Sequence, residues 1–444
     1  MNDAGVTFVK LGQVLSTRED VLPPRLIAAF STLQMDSTPI PWAEAEAAII
    51  EQLGCPIAEV FAEIDPVPLA AASVAQVHTA RLLTGEDVVV KIQRPAARAQ
   101  VTTDLDILER LAGEAERRMD WAKDYGARAL AAEFSRALRE ELDYRIEVAN
   151  TEMLRGAIAR SSSTLRLPKV YTHYCTARMI VQERVVGTPL SRLQPDTLAP
   201  DAARDVADTL LDGVFDQIAI RGVFHADLHP GNVILTEDGS LTLIDFGAVG
   251  ILERSIRRLL LPMLIAMANE DDVAVTDIAL LMCAPQPDAA VDARALQRDI
   301  GVILTRVHNS RADGNIFSLL LDALRRNRLA LPPSLLLVFR TLASLEGTLR
   351  RIVPDYDMVD RALEVAPRMA RSILSPRDAL LTAQTWSALL AEQAMRMPRR
   401  LENLTRSLDE GTLSVRLRAF ESDSERGWID SLLGRLTTTA VGIT

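Results

Sequence analysis

Phe224-His225-Ala226-Asp227-Leu228-His229-Pro230-Gly231-Asn232, followed thirteen positions after Asn232 by Asp245-Phe246-Gly247, is the densest chemical signal in the chain. Phosphoryl transfer asks little covalent help of a protein. It needs oxygen ligands for a hard divalent ion on the phosphates and a group that orients the acceptor. Asn232 and Asp245 are therefore candidate magnesium ligands, and Asp227 is the candidate group that accepts a proton or aligns an acceptor. Singly, a polar loop and an Asp-Phe-Gly turn are ordinary; together, in this order and at this spacing, they argue against coincidence. His225 and His229 read as residues that position the loop, while His78, His173 and His308 have no metal-like spacing and read as structural.

Outward from this loop, two short β runs, 232–235 and 241–244, flank Glu237-Asp238-Gly239-Ser240, a turn sequence. Upstream, helical spacing from about 201 to 221 ends at Gly222. Residues 170–174 and 178–186 read as a strand pair, and 73–81 and 87–93 as another, joined through Gly85 and closed by Pro95. One long, charged helical region is expected from about 98 to 159, and two short helices at 42–53 and 57–64, divided by Gly54 and Pro56. Beyond Gly250 the pattern is helical to about Leu436. The expected class is α+β, with a helical leader over 1–65, a small strand-containing lobe with a helical insertion over 66–186, a helical lobe over 187–370 and a helical extension over 371–444. That order suits a nucleotide held in a cleft between two lobes.

At 444 residues the chain exceeds one compact core, and 48% hydrophobic with 25% charged residues is the balance of a folded globular protein. A net charge of −11 speaks against a nucleic-acid partner. Cys55, Cys175 and Cys283 lie far apart, which fits neither a disulfide framework nor a zinc site and suits a reducing cytoplasmic setting. The N-terminal residues lack the features of a secretory signal, and no apolar run reaches the length of a spanning helix. After Arg435 the residues turn uncharged and small or apolar. Two readings stay open there, the start of a membrane segment continuing beyond Thr444 and an ordinary helix end.

The catalytic loop resembles the protein-kinase signature H-R-D-L-x-x-x-N, with Ala226 in place of Arg. No A-P-E segment follows Asp245-Phe246-Gly247, so control by activation-loop phosphorylation is not expected. Val88-Val89-Val90-Lys91 resembles the strand carrying the kinase lysine that contacts the α/β-phosphates and pairs with a helix glutamate. That glutamate belongs in the acidic stretch 140–147, where Asp143 and Glu147 fall at i and i+4 on a helix; by itself the stretch reads better as a solvated acidic face.

A more specific resemblance bears on this point. Lys10-Leu11-Gly12-Gln13, Ala70-Ala71-Ala72-Ser73, and Glu141-Leu142-Asp143 with Glu147 and Asn150 are similar to the motifs of the UbiB/AarF family, atypical kinase-like proteins linked to coenzyme Q and other isoprenoid-lipid metabolism. The resemblance covers roughly residues 8–250. It implies a bilobal protein-kinase-like fold that binds ATP or ADP with Mg2+, with Lys91, Asp227, Asn232 and Asp245 in the chemistry. It implies an alanine-rich loop, Ala70 to Ser73, in place of a glycine-rich one, so that the nucleotide sits differently and protein phosphorylation is poor. It further implies a Lys91–Glu147 ion pair, a family-specific pair of Lys10 with Glu141 and Asp143 beside Gln13, and a hinge at Glu183 to Val185 that meets adenine. The leader is then expected to cover the protein-substrate path.

The leading expectation is a Mg2+-dependent atypical kinase or ATPase supporting quinone or other isoprenoid-lipid metabolism. Its expected setting is the cytoplasm, at the inner-membrane surface or anchored there through a C-terminal segment, with prenyl lipid, a quinone precursor or lipid-biosynthesis enzymes as partners. The alternatives are a small-molecule phosphotransferase like the aminoglycoside and choline kinases, against which Lys10 to Gln13 and Ala70 to Ser73 speak, and a nucleotide-sensing scaffold.

Overall fold

In the computed structural model the described residues are 7, 38–119, 122–123, 126–159, 164–194, 197–285, 291–309, 316–359, 361–362 and 364–365. Lys10, Gln13 and the expected extension 371–444 lie outside them. The first full element, α1 (Trp42–Leu53), stops at Gly54, whose left-handed φ of 71° lets its N–H reach the Ile50 carbonyl. The second expected helix, 57–64, is instead one 3-10 turn, Ile57–Glu59, followed by strand β1 (Phe61–Ile64). The spacing of these residues suits a helix, but pairing at a sheet edge satisfies their backbone and buries Phe61.

β2 (Ala70–Ala71), β3 (Ala75–Leu82), β4 (Asp87–Gln93) and β5 (Met179–Glu183) complete an antiparallel sheet in the order β1-β3-β4-β5, with β2 also on β3. Side-chain alternation sends Val88, Val90 and Ile92 to one face, where they pack with Ile49, Met179 and Val181. Lys91 and Val89 consequently lie on the other face, half-buried. Of the strand pair expected at 170–174 and 178–186, the second is β5, while the first contracts to a single Val170 bridge to Gln182 and a 3-10 turn, Thr172–Tyr174.

The helical region expected from 98 to 159 is three helices, α2 (Ala97–Arg118), α3 (Ala127–Glu141) and α4 (Tyr144–Ile158). Gly126 takes a left-handed φ of 62° before α3. Between α3 and α4 the chain breaks at buried Leu142 and at Asp143, which leaves helical geometry to cap α4 by accepting from the Arg145 N–H. An aspartate satisfies orphan donors better as a cap than within a helix. Asp143 and Glu147 are therefore not i and i+4 neighbours of one continuous helix.

The larger, mainly helical part begins with β6 (Gly187–Pro189), then α5 (Pro200–Phe215), which runs into a π-helical turn, Asp216–Arg221, capped by Gly222. β7 (Val223–His225) follows, then β8 (Val233–Thr236), β9 (Leu241–Leu243) and β10 (Val249–Ile251). β6, β8 and β9 form one small antiparallel sheet and β7 pairs with β10. Helices α6 (Arg254–Ala268), α7 (Asp272–Met282), α8 (Ala293–Asn309), α9 (Ile316–Arg326) and α10 (Pro333–Ile352) come next, with β11 (Ala284–Pro285) and β12 (Leu329–Ala330) as a minor ribbon. No helix among the described residues is long and apolar enough to cross a membrane. The three cysteines are free thiols, and burial pushes that of Cys283 up to about 12.

Candidate active site

Lys91 sits opposite Val77 of β3 and Ile180 of β5, so the middle of the sheet sets its direction. Its ammonium donates to both carboxylate oxygens of Glu147, at 3.0 and 2.8 Å, and lies 5.1 Å from the centre of the Tyr144 ring. Glu147 belongs to the first turn of α4, where the helix dipole favours a carboxylate. Burial works against the Lys91 charge, but the carboxylates of Asp245 and Glu147 outweigh it and raise its pKa, so the ammonium persists at any physiological pH. In return Lys91, more than any other neighbour, holds the Asp245 carboxyl below its ordinary range.

Asp245 is reached through β-sheet register. Val233 faces Leu243, and the Ile244 N–H donates to the Asn232 carbonyl at 2.9 Å, so Asn232 and Asp245 leave neighbouring strand ends together. Asp245 has a left-handed φ of 60°, and its Oδ1 accepts the Gly247 N–H at 3.2 Å. Asn150 of α4 donates to the Phe246 carbonyl at 3.0 Å. One helix thus touches both the lysine and the Asp-Phe-Gly turn.

The loop before Asn232 is organised by His225, whose ring is fully buried. Its Nδ1 accepts the Asp227 N–H at 3.2 Å, so the ring proton resides on Nε2, 3.2 Å from the Ile244 carbonyl. Burial lowers the His225 pKa, in keeping with a neutral ring that accepts at one nitrogen and donates at the other. Gln217, in the π-helical turn, accepts the His225 N–H at 3.0 Å. No spacing rule singled out Gln217; the widened turn that aims it is a tertiary feature. The Asp227 carboxylate is exposed, and His229 stands 4.0 Å from it.

Asn232 donates its amide to the Asp227 carbonyl at 3.0 Å, which leaves its side-chain oxygen as the group available to a cation. With the second oxygen of Asp245 it offers hard donors of the kind Mg2+ shares with phosphate and water. No group of three or more His, Cys, Asp or Glu side chains arranged for a metal occurs among the described residues. A magnesium held jointly with nucleotide phosphates needs no such group.

The alanine-rich segment is only partly a loop. Ala70 and Ala71 pair with Val77 and Gln76, and the Ala72 N–H closes the turn on the Ala75 carbonyl at 2.8 Å. None of residues 70–74 has a positive φ, so the turn avoids the conformations for which glycine is used. Arg94 ties it down, donating to the Ala72 carbonyl at 3.0 Å and to the Thr38 carbonyl at 2.8 Å. At the expected hinge, the Glu183 N–H goes to the Lys169 carbonyl and the Arg184 N–H to the Asp87 carbonyl, with Val185 next along.

The acidic stretch 141–147 divides. Asp143 pairs with Arg145, at 2.8 and 2.5 Å, and those hydrogen bonds lower its pKa. Asp143 thus has a cation two residues away, whereas the expected pairing with Lys10 lies outside the described residues. Glu141 ends α3, close enough that its charge adds to the upward push on the Glu147 carboxyl.

A profile of the ABC1 atypical kinase-like domain matches residues 32–279, and one of the UbiB helical domain matches residues 313–357. An uncharacterized protein of Synechocystis sp. is 33% identical over 360 residues, covering 78% of this chain and 87% of its own. Proteins named "Probable protein kinase UbiB" from Pseudomonas putida and Marinobacter nauticus are 33% and 29% identical, covering 85% and 96% of this chain and 71% and 81% of theirs. Among solved structures, Rv3197 of Mycobacterium tuberculosis in complex with erythromycin superposes with a TM-score of 0.55 at 24% identity, over 79% of this chain and 89% of that one. The last likeness is one of fold. The family match spans more than half of the chain, which therefore belongs to the ABC1 atypical kinase family and is an enzyme of the kinase or ATPase type.

Proposed function

We propose that this enzyme binds ATP with Mg2+ and transfers or hydrolyses its terminal phosphoryl group in support of quinone or other isoprenoid-lipid metabolism. The observation that carries the reading is the convergence of Lys91, which donates to both oxygens of Glu147, with Asp245, whose carboxyl feels that lysine more than any other neighbour. When bound, Mg2+ supplies charge neutralisation between the phosphates. Asn232 and Asp245 are the residues to hold it, Lys91 to meet the α/β-phosphates, and Asp227 to orient the acceptor or water. The turn at Ala70 to Ser73 lies over the phosphates, and the backbone at Glu183 and Val185 meets adenine.

In this reading the leader, with Lys10 and Gln13 opposite Glu141 and Asp143, restrains transfer to protein substrates. The Arg94 bridge between the Ala72 and Thr38 carbonyls supports it, because it joins the alanine-rich turn to the segment arriving from the leader. The work is proposed to be done at a membrane surface, where a prenyl lipid or quinone precursor is presented. Calorimetry of ATP and ADP with and without Mg2+, followed by turnover assays with lipid, quinone-precursor and protein additions, tests the whole. The expected result is Mg2+-dependent binding and turnover that lipid or quinone precursor raises more than protein does. Nucleotide affinity indifferent to Mg2+ overturns the site assignment, and turnover raised only by protein overturns the substrate class.

A further inference from the structure

Asp227 projects from a short irregular stretch whose carbonyls need donors, and Ala226 stands there without a polar side chain of its own. The donors come from α10, far along the chain. Ser344 Oγ donates to the Leu228 carbonyl at 3.0 Å and Thr348 Oγ1 to the same oxygen at 3.2 Å, while Thr341 Oγ1 lies 3.3 Å from the Ala226 carbonyl. The carbonyls on both sides of Asp227 are thus met by one helix. Each threonine hydroxyl has a single proton and shares it with its own helix, with Leu337 O at 2.9 Å and Ser344 O at 3.0 Å. No second acceptor competes for the Ser344 proton among the described hydrogen bonds, which makes Ser344 the principal donor.

Positions 341, 344 and 348 fall on one face of α10, and Thr341 and Thr348 are buried among Leu342, Leu345 and Leu349. Packing alone is served as well by valine, which has the shape of threonine without a polar atom to satisfy. The hydroxyls are accounted for by the carbonyls they meet.

We infer that Ser344, Thr348 and Thr341 are positioning residues for Asp227, so that residues 313–357, the part matched by the UbiB helical domain, contain a working component of the active site. The inference rests on the proposed role of Asp227. Distortion of a reacting group's placement by a fraction of an ångström is felt in the chemical step rather than in ground-state binding.

The test uses the full chain with S344A, T348V and the double variant S344A/T348V, and with S344T and T348S as conservative controls. The double variant is expected to lower kcat for ATP turnover about tenfold or more, with the ATP KM and the calorimetric affinity for Mg2+-ATP within about twofold of the parent. S344T and T348S should retain most of kcat. Hydrogen exchange of amides 227–232 should quicken in the double variant while the sheet around Lys91 keeps its protection. If S344A/T348V does not fold, S344A alone carries both measurements. Unchanged kcat in a folded variant, or unchanged exchange of the loop, overturns the inference. A parent protein that neither binds Mg2+-ATP nor turns it over defeats the proposed function instead, and the exchange measurement then decides the clamp.

Discussion

Asp245 joins two demands at one residue, a left-handed backbone and a carboxylate. Asp and Asn tolerate φ near 60° better than other residues with a Cβ, through local hydrogen bonding of the kind Oδ1 makes to Gly247. D245N should therefore keep the turn and lose only the stability of the charge beside Lys91, a smaller loss than that of D245A, while losing Mg2+-dependent nucleotide affinity. D245A should lose the same affinity and also about 1 kcal/mol of stability, seen in thermal and denaturant unfolding. His225 makes an acid-side prediction. Its folded pKa is depressed, so the unfolded chain binds the proton first as pH falls. The stability it contributes is fully present above about pH 6.5 and is lost as pH falls toward the folded pKa, at up to about 1.4 kcal/mol per pH unit. Urea unfolding at pH 7.5 and 5.5 should show this loss in the parent and a smaller one in H225F, although H225F is the less stable protein at pH 7.5.

α4 acts as a unit because Glu147 and Asn150 lie one turn apart and reach two different partners, Lys91 and the Phe246 carbonyl. N150A leaves that carbonyl without its donor, at a cost of about 1–2 kcal/mol. With the Lys91–Glu147 pair untouched, it should weaken Mg2+-ATP binding measured by calorimetry more than binding of metal-free nucleotide, because the change falls on the Asp245 turn. The β7–β10 ribbon supports the other side of the site. There a Cβ on Gly250 would come 2.2 Å from the Phe224 ring, in a pair with no room to part. G250A should destabilise the protein by about 1–3 kcal/mol, read from the denaturation midpoint, and lower activity through loss of fold rather than of affinity.

Over the whole molecule, the site borrows from distant chain segments, and Arg94 is a place where that borrowing can be measured. It binds carbonyls at Ala72 and Thr38, so it couples the alanine-rich turn to a residue within the expected leader. R94A should quicken hydrogen exchange at residues 70–75 and raise autophosphorylation in radiolabelled-ATP assays, with R94K intermediate because a lysine cannot span two carbonyls with a planar fork. Equal exchange and equal labelling in parent and R94A would sink the proposed restraint.

Local order was legible because local spacing determines it. The His225 to Asn232 loop, its flanking strands and Asp245 lie within a short span where one hairpin register brings Asn232 beside Ile244, so residue types and intervals suffice to mark a candidate site for the proposed metal and phosphates. The break at Leu142–Asp143 was less legible, since an aspartate suits a helix face or a cap and only the burial of Leu142 chooses between them. Residues 57–64 carry helical spacing, yet pairing with β3 prevails because the sheet edge pairs their backbone and buries Phe61, which spacing does not reveal. The partner of Lys91, 56 residues away, is named by the motif resemblance and not by spacing, and the hydroxyl that meets the Ala226 carbonyl, 115 residues away, is not named at all. Spacing along the chain carries no signal over such distances. Composition and motif order by themselves determined the class of chemistry and the residues to suspect; the tertiary structure decided which charges meet, which aspartate caps a helix and which helix holds the loop, because those depend on burial and on contacts between remote segments.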